Sequence, residues 1–320
     1  MQNISVLGAG HWGLALASVL ASNNLNVVVY ARDINKVNDL NNNHKSVYVN
    51  DYTFSNNIKA TSNLQEAVEY SNIIIISLPV VAVYEALKDY IIKYPNKTYV
   101  FTSKGLYHGK TMSELFYSIN PNLNLAVLSG PSFSNEVIEK KFTAVVVASK
   151  NIEVAKSLQS LFSNEYFRVY TLTDIIGVEL CGAIKNVFAI ICGMIDGAKM
   201  GSNTKNAIIT RGLTEMKRLL KYYGAEETTL YGLAGIGDIM LTCNSFESRN
   251  YSYGYAYVTG NVSKASGVVE GLNTIKEIYN LSNSINVDMP ITNSLYEILF
   301  NGADIKQSAI ALMTRSLKNE

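Results

Sequence analysis

Lys185 lies in the run 180–195, Leu-Cys-Gly-Ala-Ile-Lys-Asn-Val-Phe-Ala-Ile-Ile-Cys-Gly-Met-Ile, where it and Asn186 are the only conventionally polar side chains. No proline interrupts the run and its length suits a helix. The helical neighbours of Lys185 are Cys181, Gly182, Phe188 and Ala189, all apolar or small. Burial disfavours an ammonium and lowers its pKa toward neutrality, where a lysine can give and take protons. The alternative is a lysine that snorkels to a surface or pairs with a buried carboxylate.

Four other groups of residues bear on that choice. Gly8-Ala-Gly10-His11-Trp12-Gly13 is a GxGxxG directly after an apolar run and opening a helical pattern. In that context the glycines allow a tight turn, a close approach of pyrophosphate and close helix–strand packing, with free N–H groups at the helix start. His11 reads as a lid over the cofactor, and Trp12 as either a cofactor flank or a core residue. At the end of the next strand stand Arg32 and Asp33. Arg32 suits a ribose 2′-phosphate while Asp33 is placed to cap the following helix, which leans toward NADP or dual use. Thr102-Ser-Lys104-Gly105 puts a second lysine just past a strand end, where a parallel sheet holds its ligands. Finally, Gly235-Ile-Gly-Asp238 precedes Ser248-Arg249-Asn250, a hydroxyl, a guanidinium fork and an amide in succession that suit a phosphate. Asp238 is placed either to orient Lys185 or receive a substrate hydroxyl, or to cap a helix.

A dehydrogenase needs an acid/base at the carbinol oxygen. The three histidines, His11, His44 and His108, all fall in the first third of the chain, so Lys185 is the natural candidate in the second half.

These residues must be positioned by an alternation of short strands and helices. Strands are expected at 4–8, 27–30, 73–77, 98–102, 125–128, 143–148 and 167–170, giving a Rossmann-type, mostly parallel α/β sheet covered on both faces. From about Asp174 the pattern is helical only, with helices expected at 175–199, 203–222, 272–281 and 291–300. The expected division is a dinucleotide-binding domain, 1–173, followed by an all-helical substrate and catalytic domain, 174–320.

Composition narrows the class. The 320 residues are 48% hydrophobic and 17% charged, as in packed globular proteins, and a net charge of +1 gives no basic field for nucleic acid or an anionic membrane. The stretch Tyr251-Ser-Tyr-Gly-Tyr-Ala-Tyr257 lacks interleaved Lys or Arg, so packing is expected rather than base stacking. Cys181, Cys192 and Cys243 form no CxxC or Cys/His cluster, which points to reduced core cysteines and no metal site. No basic leader is expected, and the apolar run 73–83 contains a proline and is too short for a bilayer span. The expectation is a cytoplasmic protein without integral membrane association.

The chain resembles the NAD(P)-dependent sn-glycerol-3-phosphate dehydrogenases of the bacterial type over nearly its whole length. The matching blocks are GAGHWGLALA from Gly8, SKG at Ser103, SGPSFSNEV from Ser129, GAIKN from Gly182 and NTKNAIITRGLTEM from Asn203. LAGIGDIMLTC from Leu233, SRN from Ser248, VVEG from Val268 and MPIT from Met289 complete them. The resemblance implies reduction of dihydroxyacetone phosphate to sn-glycerol 3-phosphate with NADH or NADPH, supplying phospholipid synthesis, with no metal. It places the proton donor at Lys185 and substrate contacts at Lys104, Gly130, Ser132, Asp238, Ser248, Arg249 and Asn250. Cofactor contacts fall on Gly8, Gly10, His11, Trp12, Gly13, Arg32, Tyr48, Lys104, Ser134, Arg249, Val268 and Glu270. Asn186 and Thr242 match polar positions that eukaryotic relatives place at the substrate. A phosphorylated small molecule is the expected partner, with a homodimer allowed.

Position 11 is often a smaller residue in that family and position 134 often alanine. After Ser-Arg-Asn further arginines are usual, whereas Tyr251-Ser252 stand here, which lowers the positive charge near the phosphate. Two other readings compete with this one. In β-hydroxyacid dehydrogenases an asparagine follows the lysine by one helical turn, but Ala189 stands there. A non-catalytic dinucleotide sensor accounts for the glycine loop but not for the buried lysine or the Ser-Arg-Asn group.

Overall fold

Runs of β-branched residues too short for helices collect into one sheet in the computed structural model, which describes residues 2–49, 52–262 and 269–316. Its strands are β1 (Asn3–Leu7), β2 (Asn26–Tyr30), β3 (Ile58–Thr61), β4 (Ile73–Ile76), β5 (Thr98–Phe101), β6 (Asn124–Ser129), β7 (Thr143–Ala148) and β8 (Phe167–Leu172). The order across the sheet is β3-β2-β1-β4-β5-β6-β7-β8. The ladders among β1 to β6 are all parallel. β7 runs antiparallel to β6 and parallel to β8.

Burial follows position in the sheet. Ile74, Ile75 and Ile76 in β4, like Ile4, Val6 and Leu7 in β1, are fully buried because helices cover both faces. β8, at one edge, alternates Phe167 and Val169 inward with Arg168 and Tyr170 outward. β3, at the other edge, was not expected from the sequence. It reads Ile-Lys-Ala-Thr with only Ile58 buried, so no apolar run announces it.

The order reverses at β1, which has β2 on one side and β4 on the other. A reversal of this kind opens a crevice at the carboxyl ends of the strands, where open α/β sheets bind ligands.

Beyond Leu172 the described residues form only helical elements and connecting turns. Asp174 starts the long helix Ile175–Gly197, with its Oδ1 accepting from Gly177 N–H at 2.9 Å and its Oδ2 accepting from the Thr229 hydroxyl at 2.6 Å. That helix is apolar on every side and is the one described helix long and apolar enough to cross a membrane, yet 94% of its most apolar window is buried inside the protein. It is the axis of the second core, ringed by the helices Ser202–Tyr222, Arg249–Val258, Glu270–Ile285 and Pro290–Asn301.

Two glycines set the closest of these contacts. A β-carbon on Gly193 would lie 2.0 Å from the Tyr251 carbonyl oxygen, and one on Gly254 would lie 1.9 Å from that of Ile190. The two helices therefore cross backbone to backbone. The tyrosine-rich stretch lies on the Arg249–Val258 helix at this crossing and packs on the core, as its lack of charge implied. The crossing also holds the start of that helix, residues 248–250, over the middle of the lysine-bearing helix.

Candidate active site

The glycine loop joins β1 to the helix His11–Ser22 at the reversal of strand order. Gly8 has φ +120°, and a β-carbon there would meet the Ser77 carbonyl oxygen at 2.5 Å. A β-carbon on Gly13 would meet the Gly8 oxygen at 1.9 Å, so both positions are tight against neighbouring backbone. Around Gly10 nothing lies within 4 Å of the same point. Gly10 thus faces the open crevice at the first turn of a helix that carries no acidic residue there. Free N–H groups beside an unobstructed glycine fit a pyrophosphate, so the loop suits a dinucleotide.

Past β2, Asp33 caps the helix Ile34–Asn38, its Oδ1 accepting from Asn35 N–H at 2.9 Å. Arg32 is exposed and makes no hydrogen bond or ion pair with a described residue. Tyr48 closes the other side of the loop, its ring 4.8 Å from that of His11, and its hydroxyl accepts from Lys36 Nζ at 2.6 Å. Lys36 was not picked out by any motif. Trp12 is half-buried and packs against the sheet core.

The lysines expected from the sequence converge from opposite halves of the chain on one carboxylate. Lys185 Nζ donates to Asp238 Oδ1 at 2.6 Å and to the Thr242 hydroxyl at 2.8 Å. Lys104 Nζ donates to the other oxygen, Oδ2, at 2.5 Å, and to the Gly130 carbonyl at 3.3 Å. Asp238 is 1% exposed and Lys185 7%. Burial brings the Lys185 ammonium down to about 8, with Asp238 pulling it back up and Lys104 pushing it further down. Burial alone would raise Asp238, but Lys104 and Lys185 outweigh it and hold the carboxyl below its ordinary range. Asp238 therefore binds both lysines and does not cap a helix. It sits one residue inside the helix Asp238–Thr242, whose cap position is Gly237.

Around this cluster the remaining residues divide by what they already hold. Ser132 donates its hydroxyl to the Gly130 carbonyl at 3.1 Å, and Ser134 begins the helix Ser134–Ile138. Ser248 caps the helix Arg249–Val258, its hydroxyl accepting from Tyr251 N–H at 3.3 Å. Asn250 donates to Asn186 Oδ1 at 2.9 Å and accepts from Gly271 N–H at 3.0 Å, so it pins two helices to the lysine helix. Arg249 is exposed and makes no hydrogen bond or ion pair with a described residue. Its charge still reaches across the crevice: desolvation and Arg249 together hold the His11 imidazole below its usual range. Glu270, half-buried at the start of its helix, is pushed up by burial against the opposing pull of Arg249, Lys104 and Lys185. Val268 lies outside the described residues.

Two features here carried no signal in the sequence. The loop between Lys104 and Thr111 is tied to the helical part through Gly109, whose N–H donates to Glu277 Oε2 at 2.7 Å and whose carbonyl accepts from the Tyr223 hydroxyl at 2.6 Å. Ser129 Oγ is buried without a hydrogen-bond partner among the described residues, beside Gly182 and the Lys104 stem. The assembled site holds two cations on one carboxylate, a guanidinium unpaired among the described residues, and a dinucleotide loop. That set can bind an anionic carbonyl compound, deliver a proton to its oxygen and hold a nicotinamide nucleotide.

Comparison with known proteins agrees with this chemistry. Residues 3–155 match the family described as NAD-dependent glycerol-3-phosphate dehydrogenase N-terminus, and residues 174–310 match its C-terminus. The chain is 41% identical to the glycerol-3-phosphate dehydrogenase [NAD(P)+] of Staphylococcus epidermidis, with 100% of both chains covered. Identity to the Staphylococcus aureus protein of the same name is also 41%, over the same full coverage. Among solved structures, glycerol-3-phosphate dehydrogenase from Coxiella burnetii superposes with a TM-score of 0.91 at 35% identity, covering 98% of this chain and 99% of that one.

Proposed function

The chain belongs to the NAD-dependent glycerol-3-phosphate dehydrogenase family, and from that premise we infer which of its residues carry the reaction. It is an oxidoreductase that interconverts dihydroxyacetone phosphate and sn-glycerol 3-phosphate with NAD(P)H. The observation that carries the residue assignment is the sharing of one buried carboxylate, Asp238, by Lys185 and Lys104.

A reduced nicotinamide nucleotide held at the loop of Gly8, Gly10 and Gly13 would supply the hydride for the carbonyl carbon. Lys185 donates a proton from Nζ to the carbonyl oxygen, and in the reverse direction its neutral amine takes the proton from the alcohol. A lysine poised near pH 8 exists in both forms under ordinary conditions. Asp238 and Thr242 fix the ammonium, and Lys104 adds positive charge for an anionic substrate. Gly8, Gly10 and Gly13 shape the pyrophosphate cradle. His11, Trp12, Arg32, Tyr48, Ser134, Val268 and Glu270 complete the nucleotide side. Gly130, Ser132, Ser248, Arg249 and Asn250 complete the substrate side. The functional division falls at 173/174, a placement supported by the short link between Leu172 and Ile175. The product feeds phospholipid synthesis, and a cytoplasmic setting fits three free, buried cysteines.

Because the substrate is recognised through its phosphate, unphosphorylated dihydroxyacetone is expected to be turned over very poorly. The check is a comparison of kcat/KM for the two ketones at saturating cofactor. Comparable values would remove the phosphate from the recognition scheme.

Arg249 is the phosphate ligand of choice. It begins a helix, where the dipole disfavours a cation, and yet among the described residues it makes no ion pair within 4 Å. Arg249→Lys keeps the charge but loses the planar fork that spans a phosphate. Losing one charge-assisted hydrogen bond is expected to raise KM for dihydroxyacetone phosphate about tenfold. The cofactor KM should move less, since the glycine loop is intact. Steady-state kinetics near wild type would put the phosphate elsewhere and leave residues 248–250 as a helix start.

A further inference from the structure

β5 ends at Phe101, and the segment that follows leaves the sheet for the helical part. A β-carbon on Gly105, next to Lys104, would lie 3.6 Å from the Thr274 hydroxyl oxygen, and Leu106 is fully buried in the helical core. Tyr107 and Lys110 then exchange two backbone hydrogen bonds, at 2.9 and 3.1 Å, around a two-residue turn in which His108 has φ +50° and Gly109 φ +70°. The tip of an exposed turn ordinarily gives its N–H and carbonyl to water. Here side chains take both: the Gly109 N–H donates to Glu277 Oε2 at 2.7 Å, and its carbonyl accepts from the Tyr223 hydroxyl at 2.6 Å. Tyr223 ends the helix Ser202–Tyr222. Thr274 and Glu277 share one face of the helix Glu270–Ile285 with Glu270, which feels the charge of Lys104 at the site end of that face.

We propose that Tyr223 and Glu277 form a latch on the Gly109 turn that holds Lys104 on Asp238, and so are positioning residues for the reaction. The proposal rests on the reading that Lys104 serves the substrate. Lysine carries its ammonium on a flexible stem, so where the charge sits depends on where the backbone carries that stem. β5 fixes the backbone on one side of Lys104 only. The latch fixes it on the other side, from helices of the same half that supplies Asp238 and Lys185. An ammonium left to a free loop would exchange Asp238 for water, and the site would lose one of its two converging cations.

The test uses the full chain as wild type, Tyr223→Phe/Glu277→Ala, Glu277→Gln, Lys104→Gln, and the triple variant that combines Lys104→Gln with the open latch. Each is measured for KM and for the pH profile of dihydroxyacetone phosphate reduction. Opening the latch is expected to raise KM for dihydroxyacetone phosphate about three- to tenfold and to move the cofactor KM less than about twofold. Asp238 raises the pKa of Lys185 and Lys104 lowers it, so with Lys104 drawn away the basic limb should move above about 8. The other titratable groups that interact with Lys185, Glu270 and Cys243, are untouched by these substitutions. Glu277→Gln removes the charge but keeps an oxygen for the Gly109 N–H, and is expected to hold the limb where wild type has it. A latch that acts through Lys104 adds nothing once that lysine is gone, so the triple variant should match Lys104→Gln.

Lys104→Gln separates the proposal from the reading beneath it. A raised KM and an upward shift of the limb in that variant uphold the reading. With those in hand, an open-latch protein that keeps the wild-type KM and limb overturns the latch, even if its melting temperature falls. So does a Glu277→Gln protein that shifts the limb as far as the open latch does, or a triple variant whose losses add in full. Should the open-latch protein fail to fold, Tyr223→Phe alone removes one hydroxyl and gives the same readouts at smaller amplitude. If Lys104→Gln itself leaves KM and limb unchanged, the reading and the proposal fall together.

Discussion

Replacing Lys185 with methionine is expected to cut the turnover of dihydroxyacetone phosphate by about 10²–10⁴-fold while leaving cofactor binding in place. Methionine keeps most of the lysine's length and suits a site that is apolar on most sides, so the fold should tolerate it. What disappears is the proton donor, and with it a charge that Asp238 now holds at 2.6 Å. The pH dependence makes the assignment specific. Burial brings Lys185 down to about 8, so below that pH the ammonium is present and reduction proceeds. As pH rises through 8 the donor is lost and the rate of reduction falls, while oxidation of glycerol 3-phosphate gains its base. In Lys185→Met that limb should be missing from the residual activity. A mutant with more than about a tenth of wild-type kcat, or with the same limb, would mean that another group moves the proton.

Asp238→Asn is expected to have the second-largest effect, and on two observables. The carboxylate is almost completely buried and binds two lysines at 2.5 and 2.6 Å. An amide of the same shape leaves two ammonium groups facing each other in a desolvated site. Removing one partner of a buried ion pair typically costs about 3–5 kcal/mol, which a lowered melting temperature would register. The sign of the pH effect follows from the same geometry. Asp238 raises the pKa of Lys185 and Lys104 lowers it, so without the carboxylate the balance falls further. The basic limb of the reduction profile should then move below about 8. A shift in the opposite direction would show that Lys185 does not sense Asp238. An unchanged profile together with an unchanged melting temperature would dissolve the cluster altogether.

How far the site was legible depended on how each residue announces itself. The glycine loop was readable because its steric demands recur wherever a backbone must approach a pyrophosphate. Lys185 was readable because a lone cation in sixteen otherwise mostly apolar residues has a desolvation problem whatever surrounds it. The edge strand β3 was not, since a strand with one buried residue leaves no run of apolar letters. Helix ends shifted by a residue or more: the expected helix 272–281 extends over Glu270–Ile285. The helices Asp238–Thr242, Arg249–Val258 and Ile305–Met313 were not among those expected.

The sequence by itself determined the fold class, the chemistry available and the residues that had to be reconciled with burial. These follow from periodicity, steric need and the cost of burying charge, all of which act locally along the chain. Only the tertiary structure decided that Asp238 serves Lys185 and Lys104 and not its own helix, because side chains 53 and 134 positions apart share it. It likewise decided that Asn250 pins helices together, that Gly109 ties the Lys104 loop to Glu277 and Tyr223, and that Lys36 leans on Tyr48. Each of these is a pairing of polar groups remote in sequence. A hydrogen bond selects its partner by distance and direction, and neither exists until the chain has folded.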